Sequence, residues 1–248
     1  MSRLLLDVGN SRAKWRIESM FQEEIGGVFR TDDILSELGK LPLRTYTVRV
    51  AIVSWVGPAD LKLEVDTVFD RSRIDRVYAT GRDEYEGLVN GYLEPFRLGA
   101  DRWVALFYAW KKYAKNCIIV DVGTAVTIDH LAENGRHLGG VIIPGVTTMV
   151  QSLNSRTSQI HVDATLAPGR HGIPGRTTTE AVSRGAVLAV AGAIRESCLQ
   201  GPLRDLEVLK LVTGGGSEYV LPILGPQWVH EPDLLLDGLS FYGRSLGY

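Results

Sequence analysis

The apolar positions fall into two blocks that begin alike. Leu4-Leu5-Leu6 runs into Asp7-Val8-Gly9-Asn10-Ser11, and Ile118-Ile119-Val120 runs into Asp121-Val122-Gly123-Thr124-Ala125. A short continuous apolar run that stops at a glycine turn predicts a buried strand, so strands are expected over 3–8 and 117–122. Partial alternation after each turn predicts a hairpin partner, over 14–18 in the first block and 126–131 in the second. Glu133-Asn134-Gly135 then turns the chain into a third strand over 136–143, closed by Pro144-Gly145. Further strands are expected over 49–54, ended by Trp55-Val56-Gly57-Pro58, over 75–78, and over 207–213, ended by Gly214-Gly215-Gly216-Ser217.

The clearest helical pattern covers 102–114, where Trp103, Leu106, Phe107, Trp110, Tyr113 and Ala114 recur at the spacing of one apolar face. So aromatic a face packs on something large, either the core or a second subunit. Other helices are expected over 31–38, with Thr31 or Asp32 as N-cap, and over 61–69, 147–153, 178–199 and 234–243. The stretch 158–176 is rich in Gly and Pro and reads as a loop.

Each half therefore starts strand–turn–strand and then adds helices. That order predicts mixed sheets with helices packed on them, not a purely alternating parallel fold. The two aspartates stand 114 residues apart in a chain of 248. We expect two duplicated domains, over 1–114 and 115–248, facing each other across a nucleotide cleft.

Composition narrows the function without naming it. With 45% hydrophobic and 23% charged residues the chain is of ordinary globular type. A net charge of −2 offers no footprint for nucleic acid or an anionic membrane. No stretch approaches the roughly 20 apolar residues of a membrane span, and Met1-Ser2-Arg3 leads into a strand without a signal-peptide pattern. Cys117 and Cys198 are too few for a disulfide framework, so buried thiols in a reducing cytoplasm are expected.

The candidate chemistry lies at the turns. In Asp7-Val8-Gly9-Asn10-Ser11 the glycine lets the backbone turn and approach a ligand. Its neighbouring N–H groups, with Asn10 and Ser11, are phosphate donors. An aspartate at a strand end can hold a hydrated cation that bridges phosphates, and Lys14 adds positive charge nearby. A single such turn reads equally as a plain hairpin; the second copy at Asp121-Val122-Gly123-Thr124 favours phosphate handling. Leu98-Gly99-Ala100-Asp101-Arg102 opens the aromatic helix. Asp101 is either an N-cap or a base that accepts a proton from an attacking hydroxyl, and Arg102 can clamp a carboxylate. Gly139-Gly140-Val141-Ile142-Ile143-Pro144-Gly145 is either a bulged strand with a terminal turn or a close backbone approach to a nucleotide. His130, His137, His161, His171 and His230 show no metal spacing, and no Walker or nucleophile-elbow motif is present.

Taken in order, these motifs resemble the type III pantothenate kinases of the acetate kinase, sugar kinase, Hsp70 and actin superfamily. The matching residues are Asp7 to Ser11, Asn90-x-Tyr92-x-x-Pro95-x-x-Leu98-Gly99-Ala100-Asp101-Arg102, Asp121 to Ala125 with Thr127, Gly139-Gly140-x-Ile142-x-Pro144-Gly145, and Thr213-Gly214-Gly215. They span almost the whole chain. The resemblance implies an α/β fold of two duplicated ribonuclease H-like (actin-like ATPase) domains, with helices flanking mixed sheets. It implies ATP-dependent phosphorylation of pantothenate, the first step of coenzyme A synthesis, in a cytoplasmic homodimer.

Residue roles follow from the same resemblance. Asp101 would be the catalytic base, and Arg102, Tyr92, Gly99 and Ala100 would line the pantothenate pocket. Asp7, Gly9, Asn10, Ser11, Lys14 and Thr124 would hold ATP phosphates, with Mg²⁺ accompanying the nucleotide. Asp121 matches the position that binds a monovalent cation, K⁺ or NH₄⁺. The family's usual Asn-Thr before the long second-half helix is replaced by Arg176-Thr177-Thr178-Thr179-Glu180, which puts the substrate-contacting Thr at 178, or at 179. Ser11 stands where Thr is common and keeps the hydroxyl. The alternative functions are a non-catalytic regulatory relative and another small-molecule kinase of the superfamily.

Overall fold

The computed structural model describes residues 2–19, 22–162 and 174–248. The chain divides into two units, Met1–Tyr113 with Asp233–Tyr248, and Ala114–Pro232.

In the first unit the leading apolar run is β1 (Ser2–Val8), followed by β2 (Arg12–Glu18), β3 (Ile25–Arg30), α1 (Ile34–Leu38), β4 (Val48–Trp55), α2 (Ala59–Ser72), β5 (Asp75–Tyr78), the short hairpin β6 (Glu84–Tyr85) and β7 (Leu88–Val89), and α3 (Ala100–Tyr113). The main sheet runs β3-β2-β1-β4-β5. β1, β2 and β3 form an antiparallel meander, while β4 and β5 join in parallel. Alternation gives the sheet two faces. Leu4, Leu6, Val8, Ala13, Ile17, Ala51 and Val53 pack under Ile34, Leu38, Val65 and Phe69 of α1 and α2. The opposite face carries Arg3, Leu5 and Asp7.

The second unit repeats the order. It holds β8 (Cys117–Val122), β9 (Ala125–Leu131), β10 (His137–Pro144), α4 (Val146–Arg156), α5 (Thr178–Gln200), β11 (Leu209–Thr213), α6 (Ser217–Leu224) and β12 (Trp228–His230). Its sheet runs β10-β9-β8-β11-β12, again with an antiparallel meander and two parallel strands. Ile118, Val120, Val122, Val126 and Ile128 meet Val146, Val150, Val187, Val190, Ile194 and Val220 in its core. The fold is α/β with two duplicated ribonuclease H-like units.

The last helix, α7 (Leu234–Ser245), belongs to the first unit and not to a second domain over 115–248. Two features hold it there. Arg3 Nε donates to Glu18 Oε2 at 2.8 Å while Arg3 Nη2 donates to Ser240 Oγ at 3.0 Å, and Arg16 pairs with Asp237 at 2.6 Å. Aromatic rings do the rest. Phe107 meets Tyr242 edge-on at 5.7 Å, and Tyr108 stacks on Phe241 at 5.9 Å. These contacts are the large partner that the aromatic α3 required. Burial of α3 is also wider than one face, since every residue from Arg102 to Ala109 is buried. Trp110 and Tyr113 are only half-buried, and Ala114 lies outside the helix.

Several elements differ from expectation. β3, α6, β12 and the β6–β7 hairpin were not legible as elements. Thr31 caps no helix: it starts a short 3₁₀ turn, and its hydroxyl goes elsewhere. Within the expected loop over 158–176, residues 163–173, including His171, lie outside the described residues.

Candidate active site

The first Asp-x-Gly turn is built by register. Asp7 sits opposite Lys14 on β2 and opposite Ser54 on β4, and paired residues of neighbouring strands share a sheet face. Lys14, the nearby cation in sequence, is thus the direct cross-strand neighbour of the buried Asp7. Gly9 N–H donates to Arg12 O at 3.0 Å and closes the turn. Thr31, fully buried, donates from Oγ1 to Gly9 O at 2.8 Å, and its N–H bonds Ser11 O at 3.1 Å. The turn is therefore clamped from below, while Asn10 and Ser11 are exposed.

The Gly99–Arg102 element lies in the same unit. Asp101 is the second residue of α3, so the N-cap reading fails by position. Gly99 supplies the carbonyl that accepts from Trp103 N at 2.9 Å. Asp101 folds back over it: its Oδ1 accepts from Arg102 N at 2.8 Å, and a Cβ on Gly99 would stand 2.5 Å from that oxygen. Only glycine leaves room for this rotamer. The same Cβ position lies 3.9 Å from Val56 Cγ1, and next to Val56 a Cβ on Gly57 would lie 3.2 Å from Gly9 O. The Val56-Gly57 segment thus bridges the Gly9 turn and the start of α3.

Arg102 is buried and donates from Nη1 to the Tyr92 hydroxyl, with its guanidinium carbon 5.2 Å from the Tyr92 ring centre. Tyr92 is set by Asn90, whose Oδ1 accepts from Tyr92 N at 3.0 Å while Nδ2 donates to Pro95 O at 3.1 Å. Tyr92, Gly99, Ala100, Asp101 and Arg102 are consequently brought together.

In the second unit Asp121 stands opposite Thr127 on β9 and Thr213 on β11. Gly123 N–H donates to Ala125 O at 2.9 Å. Thr124 O accepts from Gly145 N at 2.8 Å and from Thr148 Oγ1 at 2.6 Å. Gly214, at φ +90°, presses its backbone against Asp121 Oδ1 and Val122 O where a Cβ would collide with both. Gly216 N–H bonds Val122 O at 2.8 Å. The glycine run after β11 therefore packs directly on the second Asp turn. The Gly139 segment is the bulge, with φ +98° and a register shift between His137 and Gly140.

Thr178 and Thr179 both lie exposed in the first turn of α5, where Thr177 is the N-cap and accepts from Glu180 N at 3.2 Å. Sequence reasoning missed the supporting roles of three residues: Thr148 and Ser54, and Thr31, which reads there as a helix cap. Ser54 had a signal, being the polar end of an apolar strand, as Asp7 and Asp121 are.

The carboxylates and hydroxyls fit the ions the resemblance implies. Asp121 between two threonine positions is an oxygen set suited to a hard cation. Among the described residues no cluster of three or more His, Cys, Asp or Glu could hold a metal alone.

Residues 3–200 match the sequence profile of the family described as Type III pantothenate kinase. The chain is 38% identical to the Type III pantothenate kinase of Pseudomonas aeruginosa over 96% of this chain and 97% of that one. The chain belongs to the type III pantothenate kinases. Among solved structures, the family's fold here is similar to a Campylobacter jejuni protein described as a conserved Baf family transcriptional activator (TM-score 0.62, 17% identity, 98% of each chain). It is also similar to the activator of 2-hydroxyisocaproyl-CoA dehydratase from Clostridium difficile, with bound ADPNP (TM-score 0.54, 13% identity, 100% of this chain and 96% of that one). At such identities these two likenesses bear on fold alone. For a type III pantothenate kinase, the described residues contain no helix long and apolar enough to cross a membrane.

Proposed function

We propose that this type III pantothenate kinase transfers the γ-phosphoryl group of ATP to the pantothenate hydroxyl with Asp101 as the base, opening coenzyme A synthesis. The observation that carries the assignment is the Gly99–Asp101 geometry: a carboxylate at the head of a buried helix, its Oδ1 accepting from Arg102 N and occupying the space left by the missing Cβ of Gly99. The hydroxyl oxygen attacks phosphorus, its proton passes to Asp101, and ADP leaves. An ordinary carboxylate is a weak base toward an alcohol, which is sufficient because phosphoryl transfer relies mostly on positioning and charge neutralisation.

Arg102 receives the pantothenate carboxylate, with Tyr92 orienting the guanidinium and Gly99 and Ala100 lining the pocket. From the first unit, Asp7, Gly9, Asn10, Ser11 and Lys14 serve the ATP phosphates. From the second, Thr124 does so, Asp121 takes K⁺ or NH₄⁺, and Thr178 contacts substrate. When bound, Mg²⁺ neutralises phosphate charge, and Asp7 is the residue that would hold its hydration shell. We place the enzyme in the cytoplasm as a homodimer.

The deciding assay gives purified protein ATP, Mg²⁺ and pantothenate, with and without K⁺ or NH₄⁺, against acetate and glucose as acceptors. Pantothenate turnover that Asp101→Asn abolishes without loss of fold is expected. No turnover of pantothenate would overturn the activity, and full activity in Asp101→Asn would overturn the base.

A further inference from the structure

We propose that Ser54 is a positioning residue of the Asp7 site, its hydroxyl hydrogen-bonding the hydrated cation–phosphate assembly that Asp7 serves. The inference rests on the assignment of Asp7 to the nucleotide phosphates.

Ser54 is fully buried, and its Oγ has no hydrogen-bond partner among the described residues. A buried hydroxyl without a partner has lost its water and gained nothing in exchange, which destabilises a fold, so its position calls for a reason. The register supplies one. Ser54 pairs with Asp7 across the parallel β1–β4 contact. Its neighbour Val53 points into the core under α1 and α2, as Leu6 and Val8 do. Alternation therefore puts Ser54 on the opposite face, beside Asp7. It is also close in sequence to the Val56-Gly57 segment that links the Gly9 turn to Gly99. Alanine or valine would fill this slot without an unmet hydrogen bond; serine brings a donor and acceptor to the place where phosphates and their cation are handled.

The second unit carries the same device. Thr213, also buried, pairs with Asp121 across the parallel β8–β11 contact. A hydroxyl thus stands on the parallel neighbour of both site aspartates, on strands of otherwise different sequence. Packing alone does not call for a hydroxyl at both places.

The test uses full-length protein with Ser54→Ala, Ser54→Thr and Asp7→Asn. Calorimetric titration measures binding of ADP with Mg²⁺, and separately of pantothenate; thermal melts without ligand report the fold. Ser54→Ala is expected to weaken Mg·ADP binding about fivefold to tenfold, the scale of one hydrogen bond. It should leave pantothenate binding within about twofold and should not lower the melting temperature. Ser54→Thr, the residue the second unit uses, should restore nucleotide binding. Unchanged Mg·ADP binding in Ser54→Ala beside weakened binding in Asp7→Asn overturns the role of Ser54. Unchanged binding in both overturns the assignment of Asp7 itself. A melting temperature that falls in Ser54→Ala, with both ligands weakened equally or no folded protein recovered, makes the residue structural and also overturns the proposal.

Discussion

The two strand-turn modules share a frame and differ in what it carries. In both, an aspartate ends a buried central strand, a glycine turn follows, and a threonine from the next segment holds a turn carbonyl, Thr31 on Gly9 and Thr148 on Thr124. In both, the parallel neighbour presents a hydroxyl, Ser54 or Thr213. The antiparallel neighbour differs: Lys14 faces Asp7, and Thr127 faces Asp121. Under the proposed assignments, a lysine opposite Asp7 would add a phosphate ligand there, whereas a threonine opposite Asp121 brings no competing positive charge and would leave that carboxylate to a cation. The first turn is also one residue longer, Gly9 to Arg12 against Gly123 to Ala125. The scaffold is the same in both units, and one cross-strand position is where the proposed roles would part.

The largest expected effect tests that separation directly. Asp7→Asn should lower kcat/KM for ATP by about a thousandfold, equivalent to about 4 kcal/mol of transition-state stabilisation, whatever monovalent salt is present. Asp121→Asn should instead abolish stimulation by K⁺ or NH₄⁺ and leave the activity near that of the parent enzyme without those ions. Initial rates in sodium, potassium and ammonium buffers separate the two. Equal losses with the same salt response would erase the distinction drawn from Lys14 and Thr127.

Much of this was readable in the chain, for physical reasons. The Asp-x-Gly turns could be read because a buried strand ending in a tight turn leaves a local trace in apolar run and glycine. The edge strands β3 and β12 left little. Residues 25–30 carry two glycines and alternate half-buried with exposed positions, and 228–230 is too short for a period. The role of Lys14 could be guessed from proximity, yet its pairing with Asp7 needed the register. The placement of α7 was beyond the sequence, because it depends on Arg3 and Glu18 at the far end of the chain. Thr31 misled because threonine before a helical run usually reads as a cap, while here its hydroxyl serves a turn more than twenty residues earlier.

The same frame makes a stability comparison possible. Arg3 pairs with Glu18 at the base of β1 and β2, and Cys117 pairs with Leu131 at the corresponding position of β8 and β9. One module thus closes with a buried ion pair that also holds α7, the other with apolar side chains. Arg3→Ala leaves the buried Glu18 only Ser240 Oγ at 3.1 Å and Arg16 at 3.9 Å and should cost about 3 kcal/mol, read as a lower urea midpoint. The double change Arg3→Met with Glu18→Leu, which imitates the second unit, should cost much less. A single variant as stable as the double would remove the difference between the two closures.

Glycine substitutions should follow in size. Gly214→Ala forces a side chain onto a backbone at φ +90° and into Asp121, at a cost of about 1–3 kcal/mol. Gly9, in the first turn, has no positive φ, and a Cβ there would meet Arg12 O at a tight but less severe 3.2 Å. Gly9→Ala should therefore shift the thermal midpoint less and act mainly on ATP affinity. Melting curves and ATP titrations on both variants rank the two turns, and a larger thermal loss at Gly9 would reverse the ranking.

The smallest effect concerns pH and separates the modules once more. Leu4 pairs with Ile17, whereas Ile118 at the corresponding position pairs with His130. A histidine thus occupies an apolar slot, with Nε2 2.9 Å from Ser197 Oγ. Burial lowers its pKa below the ordinary 6.5, and nearby His137 pushes the same way while Asp129 partly opposes both. The unfolded chain therefore binds the proton more readily than the folded one. The stability that neutral His130 contributes is complete above about pH 6.5 and is lost as pH falls through its lowered folded value. His130→Gln, which keeps a partner for Ser197, should flatten the fall of the thermal midpoint below about pH 6.5. Ile17→Val, in the first unit, should leave its slope unchanged. An equally steep fall in His130→Gln would place the acid sensitivity elsewhere and make the two slots equivalent.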